Sequence, residues 1–309
     1  VSVQKTYWHL SQRRRMPSEY ELVSEKLLYY TQHGFAVQSP VTEWYARYQT
    51  QSVLAGAALE GFQDPRRTTY RSYVALANER ELFVDGLLAT ADDGVADRAL
   101  EADYVRKLER VMAPLRYPCH GLQMVASYVG QMVPEGKVTL ACLFQASDEM
   151  RRVHRLAYRL RQLQETYPGL GANSRETWQS DPAFQPLRAH LERLFVRYDW
   201  AEALIVLNAV LKPAFDGVCM VLFAEVARAA GDDVLAKMFF SLHQDCVWHR
   251  AWSRAFCAEC LSPDQRSIVD GIIARARPEV LEAMIPLAGA FGADREQSAP
   301  RIRAFLEEA

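Results

Sequence analysis

From Thr68 onward the chain carries a helical period almost without interruption, and no segment alternates apolar and polar residues as a half-buried strand would. That feature restricts the fold to helix packed on helix. Prolines, glycines and caps mark the ends. Tyr70, Tyr73, Val74, Ala77, Leu82 and the run Val84–Leu88 predict a first long helix ending near Ala91, with Asp64-Pro65 as its start signal. Helices are predicted over 97–113 and 115–133, bounded by Pro114 and Pro134, and over 138–167, stopped by Pro168-Gly169. Residues 174–181 read as a loop or a short helix. Asp181 is expected to cap a helix over 183–211 with Pro182 in its first position, and residues 213–230 form the next, stopped by Gly231. A long helix over 232–261 follows. Ser262-Pro263-Asp264-Gln265 is a capping box that opens a helix to Ala276, and 278–289 and 299–308 finish the pattern. Eight or more helices, several near 30 residues, predict an all-α protein built as a large antiparallel bundle.

At 309 residues, half of them apolar, the chain is long enough for about two domains or one large helical body. Such a chain buries roughly three quarters of its unfolded surface and folds without disulfides or a structural metal. Lys and Arg number 36 against 38 Asp and Glu, and the pI is near 6.4. That balance excludes a dedicated nucleic-acid binder, whose domain pI usually exceeds about 9. Cys119, Cys142, Cys219, Cys246, Cys257 and Cys260 are scattered, mostly in apolar helical stretches, as buried free thiols are. Cys257 and Cys260 form one CxxC with no second pair to complete a zinc site. With no disulfide framework, a reducing cytoplasm is the expected location. Val1 to Arg15 is polar and lacks an apolar signal core, and Ala203 to Ala227 is broken by Asn208, Lys212, Pro213 and Asp216, so no membrane association is expected.

The first 67 residues differ from the rest. Tyr7, Trp8, Tyr20, Tyr29, Tyr30, Phe35, Trp44, Tyr45, Tyr48 and Phe62 lie there without a sustained helical period. Such a segment cannot close a core on itself. Two readings stand: an extended arm that docks on a partner through its aromatics, or an extension folded back on its own domain. In the first, Arg13, Arg14 and Arg15 pair with carboxylates across an interface.

Long bundle helices raise the question of a di-iron site, which takes a Glu from each of two helices and a Glu-x-x-His from each of two others. No Glu-x-x-His occurs. Glu149 and His154 stand five apart, while Asp245 and His249 stand four apart and share a helix face. Glu202 sits on an otherwise apolar helix, so a few polar groups are expected to point into the bundle as hydrogen-bonded or ion-paired groups. The competing reading is an independent metalloprotein built on Glu202, Asp245, His154 and His249. A third is a helical adaptor with no redox role. Arg151, Arg152, Arg155, Arg159 and Arg161 form a basic stripe, read as a solvated or salt-bridged face. No nucleophile elbow and no phosphate-binding glycine loop is present, and Cys119-His120 has no orienting partner.

Lys5-Thr6-Tyr7-Trp8-His9-Leu10-Ser11-Gln12-Arg13-Arg14-Arg15-Met16-Pro17 resembles the N-terminus of the hydroxylase beta subunit in multicomponent di-iron monooxygenases of the toluene 4-monooxygenase and alkene or isoprene monooxygenase type. Phe62-Gln63-Asp64-Pro65, followed by Tyr70-Arg71-Ser72-Tyr73, resembles a second family segment, continued by Val84-Asp85-Gly86-Leu87. Trp178 to Gln185, Tyr198 to Ala203 and Arg250-Ala251-Trp252-Ser253 resemble three more, and the likeness weakens after Leu261.

The resemblance implies a ferritin-like long-helix bundle with an extended, aromatic-rich N-terminal arm. It divides the chain into a docking arm (1–67), a bundle core (68–262) and C-terminal helices (263–309). It implies a non-catalytic structural subunit with no catalytic, cofactor or metal residues of its own. The di-iron centre belongs to the alpha subunit. Alpha, beta and gamma form a dimer of protomers, served by a Rieske iron-sulfur ferredoxin, a flavin (FAD) reductase using NADH and a small effector protein. The implied reaction inserts one oxygen atom of dioxygen into an aromatic hydrocarbon or alkene. The residues expected at the subunit interface are Tyr7, Trp8, Arg13, Arg14, Arg15, Trp44 and Tyr45.

Overall fold

A computed structural model describes Leu10, residues 15–25 and residues 40–307, and among these residues the regular structure is helical, with no strand. The expected interface residues Tyr7, Trp8, Arg13 and Arg14 lie outside the described residues. Helix α1 (Glu19–Ser24) opens in a capping box: Ser18 Oγ accepts from the Glu21 N–H, and the Glu21 carboxylate accepts from the Ser18 N–H at 2.7 Å. Helix α2 (Pro40–Tyr45) runs on into a π turn, Ala46–Thr50.

Helix α3 (Tyr70–Ala89) starts at a cap formed by Thr69 and Ser72, five residues beyond the expected start. Asp64 is not its cap. Its carboxylate accepts the N–H groups of Arg66 and Thr68, closing a loop, and takes the Trp248 indole N–H at 2.9 Å. A short α4 (Val95–Arg98) follows. Two helices were expected either side of Pro114, but residues 102–132 form one run, α5, α-helical at Ala102–Lys107 and Arg116–Met132. A π turn (Leu108–Met112) and a 3-10 turn (Ala113–Leu115) carry the proline between them.

Helix α6 (Gly136–Thr166) matches its expected span, and α7 (Ser174–Ser180) is the short helix. Asp181 ends α7 rather than capping the next helix, because its carboxylate is taken by Arg110 and by the Ala183 N–H in a turn. The helix expected over 183–211 is two. Helix α8 (Gln185–Phe195) stops, and Asp199 then caps α9 (Trp200–Ala229) through the N–H groups of Ala201 and Glu202. Pro213 does not start a helix, for α9 passes through it. The π turns Leu207–Leu211 and Gly217–Leu222 flank it, and the wider turns release the amide bond that proline cannot make.

Helix α10 (Asp233–Cys260) is capped by Asp232, and α11 (Pro263–Phe291) opens in the expected Ser262–Gln265 box. Pro278 and Pro286 lie inside α11, which is one helix rather than two, and α12 (Arg295–Glu307) closes the chain. One hydrophobic core runs from Leu54 to Leu306. Helix α9 is its axis: it is long and apolar enough to cross a membrane, yet 89% of its most apolar stretch is buried inside the protein. Residues 49–62 lie on the same body. Trp200 Nε1 donates to the Gln49 carbonyl, Asp199 accepts from Ser52 and Val53, and Phe62 is fully buried against Trp252 and Phe256.

Candidate functional site

Helices α6, α9 and α10 direct charged side chains to the centre of the bundle. On α6, Glu149 and Arg152 are three apart and share a face; on α9, Lys212 and Asp216 are four apart. These four groups form a closed cluster. Lys212 Nζ bonds Glu149 and lies 3.2 Å from Asp216 Oδ2. Arg152 Nη1 stands 2.9 Å from Glu149 Oε2 and donates to Asp216 Oδ1 at 2.8 Å, and its Nη2 donates to Cys246 Sγ on α10 at 2.6 Å. None of the four charged side chains is more than 1% exposed. Two cations meet two carboxylates, so the buried charge sums to zero. Burial disfavours the Asp216 charge, but Arg152 and Lys212 outweigh it and hold the carboxyl at about 2. Burial likewise opposes the Lys212 charge, yet Asp216 and Glu149 leave its pKa raised. Cys119 on α5 is fully buried beside this cluster, and burial pushes its thiol up to about 12.

A second set lies beside the first. Asp148 Oδ1 accepts from the Tyr73 hydroxyl at 2.9 Å, and Asp148 Oδ2 is 3.0 Å from His249 Nε2. Burial, and then the nearby Asp245 charge, drive the Asp148 carboxyl well above its ordinary range. Burial and the cations of Lys212 and Arg152 drive His249 well below its own. His249 is therefore neutral, and its contact with Asp148 is a hydrogen bond and not an ion pair. Asp245 differs: Arg151 Nη1 donates to it at 2.8 Å, and Arg80 reaches across from α3. Further along α6, Arg159 binds Asp97 through both terminal nitrogens, at 2.9 and 2.6 Å.

The arginine stripe of α6 is thus salt-bridged but not solvated. Arg151, Arg152, Arg155 and Arg159 are buried, and Arg161 alone of the five is exposed. The set Glu202, Asp245, His154 and His249 is not brought to one point. Glu202 turns outward to Arg197 at 2.8 Å, and His154 is exposed. Among the described residues, no three His, Cys, Asp or Glu side chains are grouped to hold a metal.

The residues present do not fit a di-iron centre. Glu149-Met150-Arg151-Arg152 has the spacing of a Glu-x-x-His pair, with a guanidinium where the imidazole would be. Two fixed cations, Arg152 and Lys212, already neutralise the carboxylates a metal would need. A search for Glu-x-x-His passes over this arrangement; a search for its spacing with any polar residue at the last position finds it.

Of the other expected interface residues, Arg15 is spent locally, donating to Glu21 at 2.6 and 2.9 Å with its side chain 61% exposed. Trp44 packs on the rings of Tyr48 and Tyr198 at 4.7 and 4.6 Å and stays partly exposed. Tyr45 is half-buried, and its hydroxyl accepts from Gln131 Nε2 at 3.3 Å.

Comparison with known proteins gives this arrangement its context. Residues 43–264 match the Methane/Phenol/Alkene Hydroxylase family. The chain is 33% identical over 282 residues, 89% of its length and 86% of the relative's, to the toluene-4-monooxygenase system hydroxylase component subunit beta of Ectopseudomonas mendocina. It is 25% identical over 230 residues to the phenol 2-monooxygenase oxygenase component DmpL of Pseudomonas sp. (strain CF600), covering 73% and 69% of the two chains. A chain of toluene 4-monooxygenase, solved with toluene bound in its resting active site, superposes with a TM-score of 0.89 and 31% identity over 94% of this chain and 98% of that one. Phenol hydroxylase from Pseudomonas sp. OX1 shares the fold at a TM-score of 0.86 and 19% identity, over 99% and 94%. The chain belongs to the methane, phenol and alkene hydroxylase family of multicomponent di-iron monooxygenases, as a hydroxylase subunit of the beta type.

Proposed function

We propose that this chain is the structural, non-catalytic beta subunit of its hydroxylase. It braces a di-iron alpha subunit within a dimer of alpha-beta-gamma protomers in the cytoplasm. The assembled enzyme inserts one oxygen atom of dioxygen into an aromatic hydrocarbon or alkene, with electrons from NADH delivered through a flavin reductase and a Rieske ferredoxin and with an effector protein bound. Residues 1–67 serve as a docking arm, 68–262 as the bundle core and 263–309 as C-terminal helices. Tyr7, Trp8, Arg13, Arg14, Arg15, Trp44 and Tyr45 contribute to contacts with the other subunits.

The observation that carries the structural role is the closed cluster of Glu149, Arg152, Lys212 and Asp216. A metal entering there must displace two cations that are hydrogen-bonded and out of water. The cluster does mechanically what a buried cofactor does elsewhere: it ties α6, α9 and α10 together at one point. Rigid surroundings of that kind keep a neighbouring subunit's ligands in place. Metal analysis tests the reading. The chain purified alone is expected to hold only substoichiometric iron and to co-purify with the alpha subunit when both are expressed. Stoichiometric iron in the chain alone overturns the structural role.

A further inference from the structure

The loop that Asp64 closes just before α3 carries two polar groups whose needs the protein does not meet. Thr68 is only 7% exposed, and its Oγ1 has no hydrogen-bond partner among the described residues. A hydroxyl buried in that way is costly unless something else bonds it. Arg66 lays its guanidinium over the Trp248 ring at 5.7 Å and pairs with no carboxylate among the described residues. Burial, and then the neighbouring Arg80 charge, lower the Arg66 pKa, so like charges crowd this corner of the molecule.

Both groups line one cavity between the loop, α3, α6 and α10. It leaves about 10 Å³ for the centre of a water-sized sphere, which is room for one small particle and not for an organic ligand. Three guanidiniums, those of Arg66, Arg80 and Arg151, line it against the two carboxyls of Asp148 and Asp245. One Asp245 oxygen pairs with Arg80 and the other with Arg151, while the Asp148 oxygens go to Tyr73 and His249. Glu81, which also reaches Arg151, is balanced by Arg155. Asp64 spends its oxygens on the N–H groups of Arg66 and Thr68 and on the Trp248 indole. The lining is therefore net positive even with both of its carboxyls charged. What it still offers is a hydroxyl and the guanidinium N–H groups of Arg66, which are donors. A metal cation is repelled there. A water molecule would satisfy Thr68 but leave Arg66 and Arg80 repelling each other, whereas an anion answers both.

We propose that this cavity binds a single halide-sized anion, chloride in ordinary media, held by Thr68 Oγ1 and the guanidiniums of Arg66 and Arg80. The ion offsets the repulsion between the two arginines. It also ties the 64–68 loop to α3 beside the Asp148 and Asp245 network, so it strengthens the fold and takes no part in a reaction.

Thermal unfolding of the full chain at constant ionic strength tests the site, with sodium chloride replacing sodium gluconate, whose organic anion does not fit the cavity. Chloride at ten times its dissociation constant is expected to lower the unfolding constant about tenfold. Thr68→Val keeps the side-chain shape and removes the hydroxyl, and Arg66→Gln removes a charge from an exposed residue. Each is expected to abolish most of the chloride effect, while Thr68→Ser retains it. Crystals soaked in sodium bromide are expected to show an anomalous peak between Thr68, Arg66 and Arg80. Equal stability in the two salts overturns the proposal, as does a chloride effect that Arg66→Gln and Thr68→Val leave whole. A peak in the cavity without anomalous signal assigns it to water and overturns the anion. If Thr68→Val does not fold, Arg66→Gln and the bromide soak decide the matter alone.

Discussion

Lys212 holds its ammonium against the Glu149 carboxylate inside the bundle, and neither side chain is more than 1% exposed. The pair belongs to a balanced quartet with Arg152 and Asp216. Removing one member strands a buried charge, which typically destabilises by about 3–5 kcal/mol. Lys212→Met is expected to lose that much in urea unfolding followed by circular dichroism. The double variant Lys212→Met, Glu149→Leu leaves Arg152 and Asp216 still paired. It is expected to be more stable than Lys212→Met alone, because an apolar pair of similar volume avoids desolvating charge. A double variant no more stable than the single one would show that Lys212 acts by packing and not by charge.

The buried imidazole sets a pH dependence. In the folded chain His249 titrates well below its ordinary value, held neutral first by burial and then by Lys212 and Arg152. The unfolded chain takes up that proton near pH 6.5 and the folded one does not. The unfolded state then binds more protons, so His249 makes stability fall as the pH drops below about 6.5. His249→Gln is expected to flatten unfolding free energy measured between pH 7 and 5. Asp216 acts in a lower window, with its contribution present above its ordinary value of 3.8 and lost as the pH falls toward about 2.

Two neighbouring aspartates should answer the same substitution in opposite ways. Burial and then Asp245 raise the Asp148 carboxyl well above its ordinary range, and its hydrogen bonds go to Tyr73 and His249. Asp148→Asn removes a charge that its surroundings already disfavour and is expected to change the melting temperature little at neutral pH. Asp245 binds two guanidiniums, Arg80 and Arg151. Asp245→Asn leaves Arg80 without its partner and is expected to destabilise by about 3 kcal/mol. Thermal unfolding of the two variants side by side decides the matter.

The helical architecture was legible because its signals are local. The Ser262–Gln265 box reads directly, and the helix expected from 232 begins at Asp233, where Asp232 caps it. The prolines misled: Pro213 and Pro278 look like helix starts, but α9 passes the first between two π turns and α11 runs on through the second. The centre of the bundle was half visible. Arg152 and Arg159 lie on the same α6 stripe as Leu156, Leu160 and Leu163, which already argues that they point inward. Their partners were not visible, since Asp216 is 64 residues from Arg152 and only the fold brings them together. Glu202 misled in the opposite sense. It follows the Asp199 cap on the first turn of α9, where Arg197 draws it outward.

Asp199 joins two jobs in one side chain. Its Oδ1 caps α9 through the N–H groups of Ala201 and Glu202 and accepts the Ser52 hydroxyl at 2.8 Å, while Oδ2 takes the Val53 N–H at 2.8 Å. Losing the cap alone typically costs about 1 kcal/mol. Losing the other two bonds releases Ser52 and Val53 from the start of α9, where Trp200 still holds the Gln49 carbonyl. Asp199→Ala is therefore expected to lower stability by about 2 kcal/mol and to make the backbone near Gln51 a faster site of limited proteolysis. Asp199→Asn retains the cap oxygen and is expected to lie between wild type and alanine.

The C-terminal helix offers the last test. The ring of Phe305 on α12 fills the space over Gly217, so closely that a Cβ there would overlap it. Gly217 opens the second π turn of α9, one residue after Asp216 of the central cluster. The absence of a side chain thus lets α12 seat directly against the helix that carries the charges. Gly217→Ala is expected to push α12 away and destabilise by about 1–3 kcal/mol, the usual range for overpacking. Phe305→Ala removes the ring and should relieve much of that strain when the two are combined. If the variants instead add independently in thermal unfolding, the ring does not depend on the glycine and α12 is seated by its other contacts, such as Ile302 and Leu306.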